Sequence, residues 1–485
     1  MYYIGLDLGT SGLKGLLVDK MGNILCEKTV EYPVFYPHDG WSEQNPEDWL
    51  IACEEILKEL CCGKEKEIGG ISVGGQMHGL VLLDKDDNVI RPAILWNDGR
   101  TQRQTDYLNN EIGKKNLSDM TANIAYAGFT APKILWVKEN ESENFAKIEK
   151  IMLPKDYLTY MLSGSFVCDY SDASGMLLLD VENKCWSKKM CEICSVKEAW
   201  LPRLCESYEV VGKIKEKYGL ENAIITAGAG DNAAAAVGTG AVNDGDCNIS
   251  LGTSGTVFIS GDKFCVDDKN SLHAFAHANG KYHLMGCILS AASCNKWWVE
   301  NILNCSYDDA VCGMEAKLGD NNVFFLPYLM GERSPHNDVN ARGAFIGMRP
   351  DTTREEMSLS VLEGVAFALR DCVEIAKNNG ICVNKTRICG GGAKSILWKK
   401  IIANVLDLEV ESPKTEQGPA YGAAILAMVG AKEYSSVSEA TSKIVKINSS
   451  VLPDAKLAEK YEKKYKIFKS MYPALSGIYE MQSNA

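Results

Sequence analysis

The pentapeptide "LGTSG" stands at Leu8–Gly12 and again at Leu251–Gly255, half a chain further on. Each copy joins two runs of strand composition: "YYIGLDL" and "CNISL" lead in, "LKGLLVD" and "TVFIS" lead out. Glycine at a strand-end turn lets the backbone approach a ligand closely, and the exposed N–H groups and hydroxyls suit an anion such as phosphate. Two such turns in matching contexts constrain the chain to two related halves. A length of 485 residues agrees, since domains usually hold about 100–200.

The flanking sequence repeats the pattern. After the first copy, "DKMGN" separates two β-rich runs and reads as a hairpin turn. "NPEDWLIACEEILKEL" opens a helix, with Asn45 as cap, Pro46 at the first helical position, and Glu47 and Asp48 complementing the dipole. Trp49, Ala52, Cys53, Ile56, Leu57 and Leu60 recur at helical spacing, and "EIGGISVGGQM" follows as a short apolar strand. In the second half, "LHAFAHANGKYHLMGCIL" is a hairpin with Asn279-Gly280 at its tip. Thr353 and Glu356 form a capping box for a long helix that stops at Gly380. A strand, "KTRIC", and a helix, "KSILWKKIIANVL", come next. Each half is therefore α/β. With the junction at Val242–Asp246, the expected organisation is an N-terminal domain over residues 1–243, a C-terminal domain over 244–437 and a lysine-rich helical tail over 438–485, read as surface.

A net charge of −13 argues against nucleic acid or an anionic membrane as partner, because both reward a basic face. The 18 cysteines lie mostly in apolar segments; Cys191 and Cys194 have a metal-like spacing but no second pair at a zinc-site distance. His273 and His277 alternate with Phe275 in a strand and make no metal site. No apolar run approaches the ~18–20 residues of a membrane span, and the opening "MYYIGLDLG" is not a signal peptide. The expectation is a reduced, cytoplasmic protein.

The two turns differ in one respect. Asp7 stands on the strand before the first, Ser250 in the corresponding place before the second. A carboxylate beside a phosphate turn repels the ligand unless a cation lies between, and Mg²⁺ does this through one or two carboxylates plus phosphate oxygens. One metal, at Asp7, and two turns gripping one polyphosphate is the arrangement read here. Neither a P-loop nor a Rossmann glycine fingerprint occurs.

The segments "IGLDLGTSGLK", "GQMHGLVLLD", "ILWNDGR", "GFTAPKILWV", "LPKDYL", "AGAGDNAAAAVG", "SLGTSG", "FLPYLMGERSPHN" and "GGGAKS" together resemble the FGGY family of carbohydrate kinases, and within it most closely the xylulokinases. The resemblance implies the two-domain actin-like ATPase (ribonuclease H-like) fold, with the active site in the cleft, ATP on one side and sugar deeper in. It implies Asp231 as the base that accepts the hydroxyl proton, although locally Asp231 reads as a helix cap. It implies sugar contacts at Met77 and His78 with Asn232 across the pocket. Gln76 is an amide in the same segment, and Asp98 and Arg100 are further candidates near the sugar. Thr10 and Ser11, with Gly252, Thr253 and Gly255, are the phosphate-side candidates, and Gly390, Gly391, Gly392 and Ala393 lie near the adenosine. The implied partners are ATP, Mg²⁺ and a ketopentose, D-xylulose foremost; a homodimer is compatible with the resemblance. The segment from Gly331 to Pro335 has no mechanism assigned. Rival readings are a family member acting on ribulose or gluconate, an actin-like or chaperone-type ATPase, and a non-catalytic sugar sensor. A panel of sugars separates the first; the motif at Gln76 to His78 and the lack of a separate peptide-binding domain stand against the second; and the sensor would be expected to lose Asp231 or Asp7.

Overall fold

Both LGTSG turns are hairpin tips in two sheets with the same wiring. In the computed structural model, which describes residues 1–483, β1 (Tyr2–Leu8) runs antiparallel to β2 (Gly12–Asp19), which pairs with β3 (Ile24–Glu31). On its other side β1 runs parallel to β4 (Ile68–Gly75). With β5 (Val210–Lys213) and β6 (Ile224–Thr226) the order is β5-β6-β4-β1-β2-β3, and a short strand, Ala229–Gly230, also pairs with β4. The second sheet holds β7 (Asp246–Leu251), β8 (Gly255–Gly261), β9 (His273–Ala276), β10 (Tyr282–Ile288), β11 (Lys385–Cys389), β12 (Glu409–Pro413) and β13 (Ile447–Val451), in the order β9-β10-β8-β7-β11-β12-β13. Its central strand β7 has antiparallel β8 on one side and parallel β11 on the other, as β1 has β2 and β4. This is the duplicated arrangement expected of the actin-like fold.

The sequence sets the elements locally. Helix α1 (Pro46–Cys61) starts after Asn45, in extended conformation, and buries the six apolar residues named above against β2 and β3. Helix α2 (Asp231–Thr239) follows the strand Ala229–Gly230 directly. Helix α3 (Arg354–Asn378) has its capping box: Thr353 accepts from Glu356 N–H while Glu356 accepts from Thr353 N–H. It ends with Gly380 at φ 86°, which only glycine adopts at little cost. Helix α4 (Ile396–Leu406) follows β11.

Packing departs from the expected chain division in two places. Helix α5 (Gly418–Gly430), inside the segment expected to form the C-terminal domain, packs on β1, β4 and α2 of the first half. The tail is also more than a surface helix. It adds β13 to the second sheet and then α6 (Ala455–Ser483), whose Tyr461, Tyr465 and Phe468 are buried. Lys464 pairs with buried Glu363 of α3 at 2.7 Å, and the Tyr461 hydroxyl donates to the same carboxylate at 2.9 Å. The lysine content hid this, because a single apolar stripe suffices to dock a helix.

All eighteen cysteines are unpaired, with Cys191 and Cys194 buried. Among the described residues, no helix is long and apolar enough to cross a membrane, and no group of three or more candidate metal ligands occurs.

The α2–α5 contact is made by backbone. A Cβ on Gly422 would lie 1.8 Å from the Ala234 carbonyl oxygen, and one on Gly238 2.1 Å from that of Gly418. Gly422→Ala is therefore expected to destabilise the fold by about 1–3 kcal/mol, the usual cost of overpacking. Gly477→Ala, on an open stretch of α6, is expected to be neutral or mildly stabilising. Parallel thermal melts compare the two.

Candidate active site

The register of the first sheet brings the candidates together. Asp7 lies beside Gly74 and Leu8 beside Gly75, while Ala229 lies on the other side of Gly74. Neighbouring strands stand about 4.8 Å apart, so Asp7, the Gln76–His78 loop and Asp231 leave one sheet edge side by side. Glycine is needed at the strand end, since a Cβ on Gly75 would meet Lys155 Cβ at 2.9 Å.

His78 holds a left-handed conformation, φ 70°, fixed by its neighbours. Its carbonyl accepts from Lys133 Nζ at 2.8 Å and Thr130 Oγ1 at 3.1 Å, and its ring stacks on Phe129 with centroids 4.6 Å apart. Nδ1 lies 2.8 Å from the Gly175 carbonyl. A carbonyl only accepts, so Nδ1 carries the proton and Nε2 presents a lone pair, as a sugar hydroxyl requires. Burial, with Lys133 nearby, pushes the imidazole down to about 3 and keeps it neutral. Met77 is wedged between Gly175 and Gly230, where any side chain would strike its thioether end. Phe129, Tyr126, His273 and Phe275 extend the wall with ring centroids 5.0–6.2 Å apart. Phe129 and Lys133 lie in the quoted segment "GFTAPKILWV", but sequence reasoning gave them no role, because the wall closes only when that segment meets Tyr126 and the strand carrying His273 and Phe275.

Asp231 is not a helix cap. Gly230 occupies the cap position, and Asp231 is the first helical residue. One carboxylate oxygen, Oδ1, accepts from Asn232 N–H at 2.7 Å and from Asn232 Nδ2 at 2.8 Å. The other has no donor among the described residues. Burial raises the carboxyl to about 6, against the lowering by these hydrogen bonds. Asn232 thus spends its amide holding Asp231. Asp7 is raised to about 7 by burial and by the neighbouring Asp231 charge, and no donor reaches its carboxylate. Two under-compensated carboxylates at one sheet edge form a donor set that a hard divalent cation fits.

The sequence candidates divide into those facing the cleft and those bracing it. Thr10 Oγ1 donates to Gln76 Oε1 at 3.3 Å and accepts from Trp96 Nε1 at 3.0 Å; Gln76 Nε2 donates to Gln44 at 3.1 Å. Gln76 is buried and ties the first LGTSG turn to the Gln76–His78 loop, leaving the Thr10 and Ser11 N–H groups and the Ser11 hydroxyl without protein partners among the described residues. Asp98 and Arg100, expected near the sugar, are a sealed pair with side chains 0% and 1% exposed. Asp98 accepts from Arg100 Nε at 2.8 Å and from Ser42 N–H at 2.6 Å, and Arg100 lies 3.7 Å over Trp41 and 2.8 Å from Glu43. Both Asp98 oxygens and the Arg100 Nε and Nη2 are engaged within this cluster, which braces the loop carrying Trp96.

In the second half, the carbonyls of Gly252 and Thr253 accept from Ala292 N–H and Ala291 N–H, both at 2.9 Å, which turns the hydroxyls and amides of the turn outward. Gly390 (φ 89°) and Gly392 rest on Leu251, where a Cβ would clash at 2.8–3.0 Å. A cavity of about 800 Å³ runs from Thr253 to Gly391 and Gly392. Gly255 serves packing against Ile288 and Ala291; Gly390 and Ala393 shape the loop behind the cavity. Ser293, Asn295, Lys296, Tyr307 and Ile396 also line it, and nothing in their spacing announced them.

Two matching strand-end turns, a carboxylate with one free oxygen and an aromatic wall beside it are the parts a phosphotransferase acting on a sugar requires. Residues 2–238 match the N-terminal domain of the FGGY family of carbohydrate kinases and residues 247–431 its C-terminal domain, and the chain belongs to that family. It is 39% identical to a xylulose kinase of Lactococcus lactis, over 98% of this chain and 97% of that one. It is 37% identical to a xylulose kinase of Escherichia coli, over 98% and 99%. A solved kinase structure from Brucella ovis superposes with a TM-score of 0.93 at 37% identity, covering 99% of this chain and 100% of that one.

Asp98→Asn separates bracing from sugar contact. It leaves Arg100 half-paired in a buried site, so thermal stability is expected to fall by roughly 3–5 kcal/mol. At a temperature where the variant is folded, the sugar KM is expected to stay within twofold of the parent.

Proposed function

We propose that the chain transfers the γ-phosphoryl group of ATP to D-xylulose, giving D-xylulose 5-phosphate and ADP. The observation that carries the reading is the Asp231 carboxylate, one oxygen held by Asn232 and the other free, at the sheet edge that also carries Met77 and His78. The xylulose kinases at 39% and 37% identity supply the sugar. Met77 and Phe129 wall the ketose while His78 Nε2 accepts from one of its hydroxyls. Asp231 takes the proton of the attacking hydroxyl, that oxygen bonds to the γ-phosphorus, and the bond from phosphorus to the bridging oxygen breaks, leaving ADP with the electron pair. The N–H groups of the two turns hold the phosphate oxygens from both sides, and the 800 Å³ cavity takes the adenosine. Asp7, with Asp231 beside it, would hold Mg²⁺, which offsets phosphate charge when bound.

Asp231→Asn keeps the shape and removes the base. It is expected to bind the sugar within severalfold of the parent affinity while kcat drops about 10²–10⁴-fold, the range of general-base contributions. Near-parental kcat in a coupled ADP-release assay would remove Asp231 from this role. Because the carboxyl sits at about 6, the reactive carboxylate is present above that pH and lost below it. At saturating Mg²⁺, which would hold Asp7 as the carboxylate, the log of kcat/KM for the sugar is accordingly expected to fall with unit slope below about pH 6, with no added limb from His78, neutral down to about 3. A sugar panel containing D-xylulose, D-ribulose, D-gluconate and glycerol, run with ATP and Mg²⁺ and again with EDTA, tests the substrate and the metal together. Preference for another sugar sinks the xylulose reading; full activity in EDTA sinks the metal.

A further inference from the structure

The segment "GERSP", Gly331–Pro335, belongs to the C-terminal half, yet its geometry directs it to the sugar wall of the N-terminal half. Its main chain is pinned on both sides of Arg333. Glu332 Oε1 accepts from Leu289 N–H and Arg333 N–H, both at 2.8 Å. Ser334 N–H donates to the Cys287 carbonyl at 2.9 Å, and the Ser334 hydroxyl accepts from Cys287 N–H at 3.1 Å and donates to the Ser271 carbonyl at 2.8 Å. Just beyond, Asn337 Oδ1 accepts from the Tyr126 hydroxyl at 3.1 Å. These bonds fix the backbone from which the Arg333 side chain leaves.

Its guanidinium carbon lies 5.1 Å from the Tyr126 ring centroid. Tyr126 lies 5.3 Å from Phe129, and Phe129 4.6 Å from His78, so the cation borders the pocket that His78 opens into. Its charge is felt at both His78 and His273, helping to keep each imidazole neutral. Arg91, Arg100, Arg370 and Arg387 each face a carboxylate. Among the described residues, the half-buried Arg333 guanidinium has neither a carboxylate within 4.0 Å nor a side-chain hydrogen bond. A planar group with five N–H donors, on a pinned backbone and unspent, is available to oxygen acceptors.

We propose that Arg333 is a substrate-contact residue whose guanidinium donates to oxygen atoms of the bound sugar. The proposal rests on the sugar-kinase reading above, and it gives the C-terminal half a direct grip on the ligand that Met77 and His78 hold from the N-terminal half. A sugar bridging the two halves in this way favours the closed cleft, because only there do both grips act together. Glu332 is the positioning residue: one carboxylate oxygen fixes the Arg333 amide and also Leu289, the start of the segment that holds the second phosphate turn.

The test uses Arg333→Met and Arg333→Lys in the full chain, with whichever panel sugar the parent turns over best. Sugar KM at saturating ATP, ATP KM at saturating sugar, and sugar Kd by calorimetry without nucleotide are measured. For Arg333→Met the sugar KM and Kd are expected to rise about 10–100-fold, the scale of hydrogen bonds to a charged donor. The ATP KM is expected to stay within twofold, and Arg333→Lys to fall between. Sugar KM and Kd within twofold of the parent overturn the proposal, as does an equal rise in both substrates' KM. If Arg333→Met lowers the melting temperature, Arg333→Gln, a shorter uncharged donor, is read by the same criteria. A parent that prefers another sugar fails the xylulose reading alone, because the Arg333 comparison is then made on that sugar.

Discussion

The position of the catalytic edge depends on one contact made almost entirely of glycine and alanine. Helices α2 and α5 cross where Gly238 faces Gly418 and Gly422 faces Ala234, so their backbones touch. Strand β1 joins them through Gly5, where a Cβ would lie 1.8 Å from the Ala420 carbonyl oxygen. A crossing with no side chains between has little room to slide, and interiors packed this closely transmit strain instead of absorbing it. Asp231 begins α2 and Asp7 nearly ends β1, so their mutual placement is inherited from that crossing. The electrostatics of the site follow from it: burial lifts both carboxyls, and the Asp231 charge beside it lifts Asp7 further.

Burial performs the same service for other groups around the pocket. His78 is kept neutral by desolvation and by the cations Lys133 and Arg333. Lys133 itself is pushed down to about 7 by burial while donating to the carbonyls of His78 and Gly128. The pocket thus offers a fixed tautomer and a fixed loop at no cost in mobile charge, which suits a neutral polyol better than a ring of ionised side chains would.

Much of this was legible in the sequence, for reasons that differ by element. The strand–turn–strand repeat, the capping box at Thr353 and the apolar spacing of α1 are local rules, and they hold as local rules do. Asp231 and His78 were legible as candidates only through family motifs; from neighbouring residues alone, Asp231 reads as a cap, and the structure shows Gly230 in that position. The buried partners of Asp98, Arg100 and Gln76 were not legible, because a polar residue in a turn looks the same whether it faces a ligand or a buried partner. Only tertiary neighbours such as Glu43, Trp41 and Gln44 decide, and they lie 30 to 60 residues away in sequence. The tail misled for the opposite reason, since its lysines outnumber the few aromatic residues that dock it. The aromatic wall was invisible because it is assembled from segments of both halves.

The duplicated wiring places the loop after β4, Gln76–His78, and the loop after β11, Gly390–Ala393, at equivalent positions in their sheets. One carries an amide, a thioether and an imidazole; the other is nearly bare backbone. On the function proposed above, the same structural slot is furnished once for the sugar acceptor and once for the nucleotide donor. The consequence of that reading is modularity: substitutions in the first slot would retune which polyol is held, while the donor-handling slot stands on another strand of another sheet and would be left alone. A fold partitioned this way can acquire new acceptors by editing a few side chains on one side of its cleft.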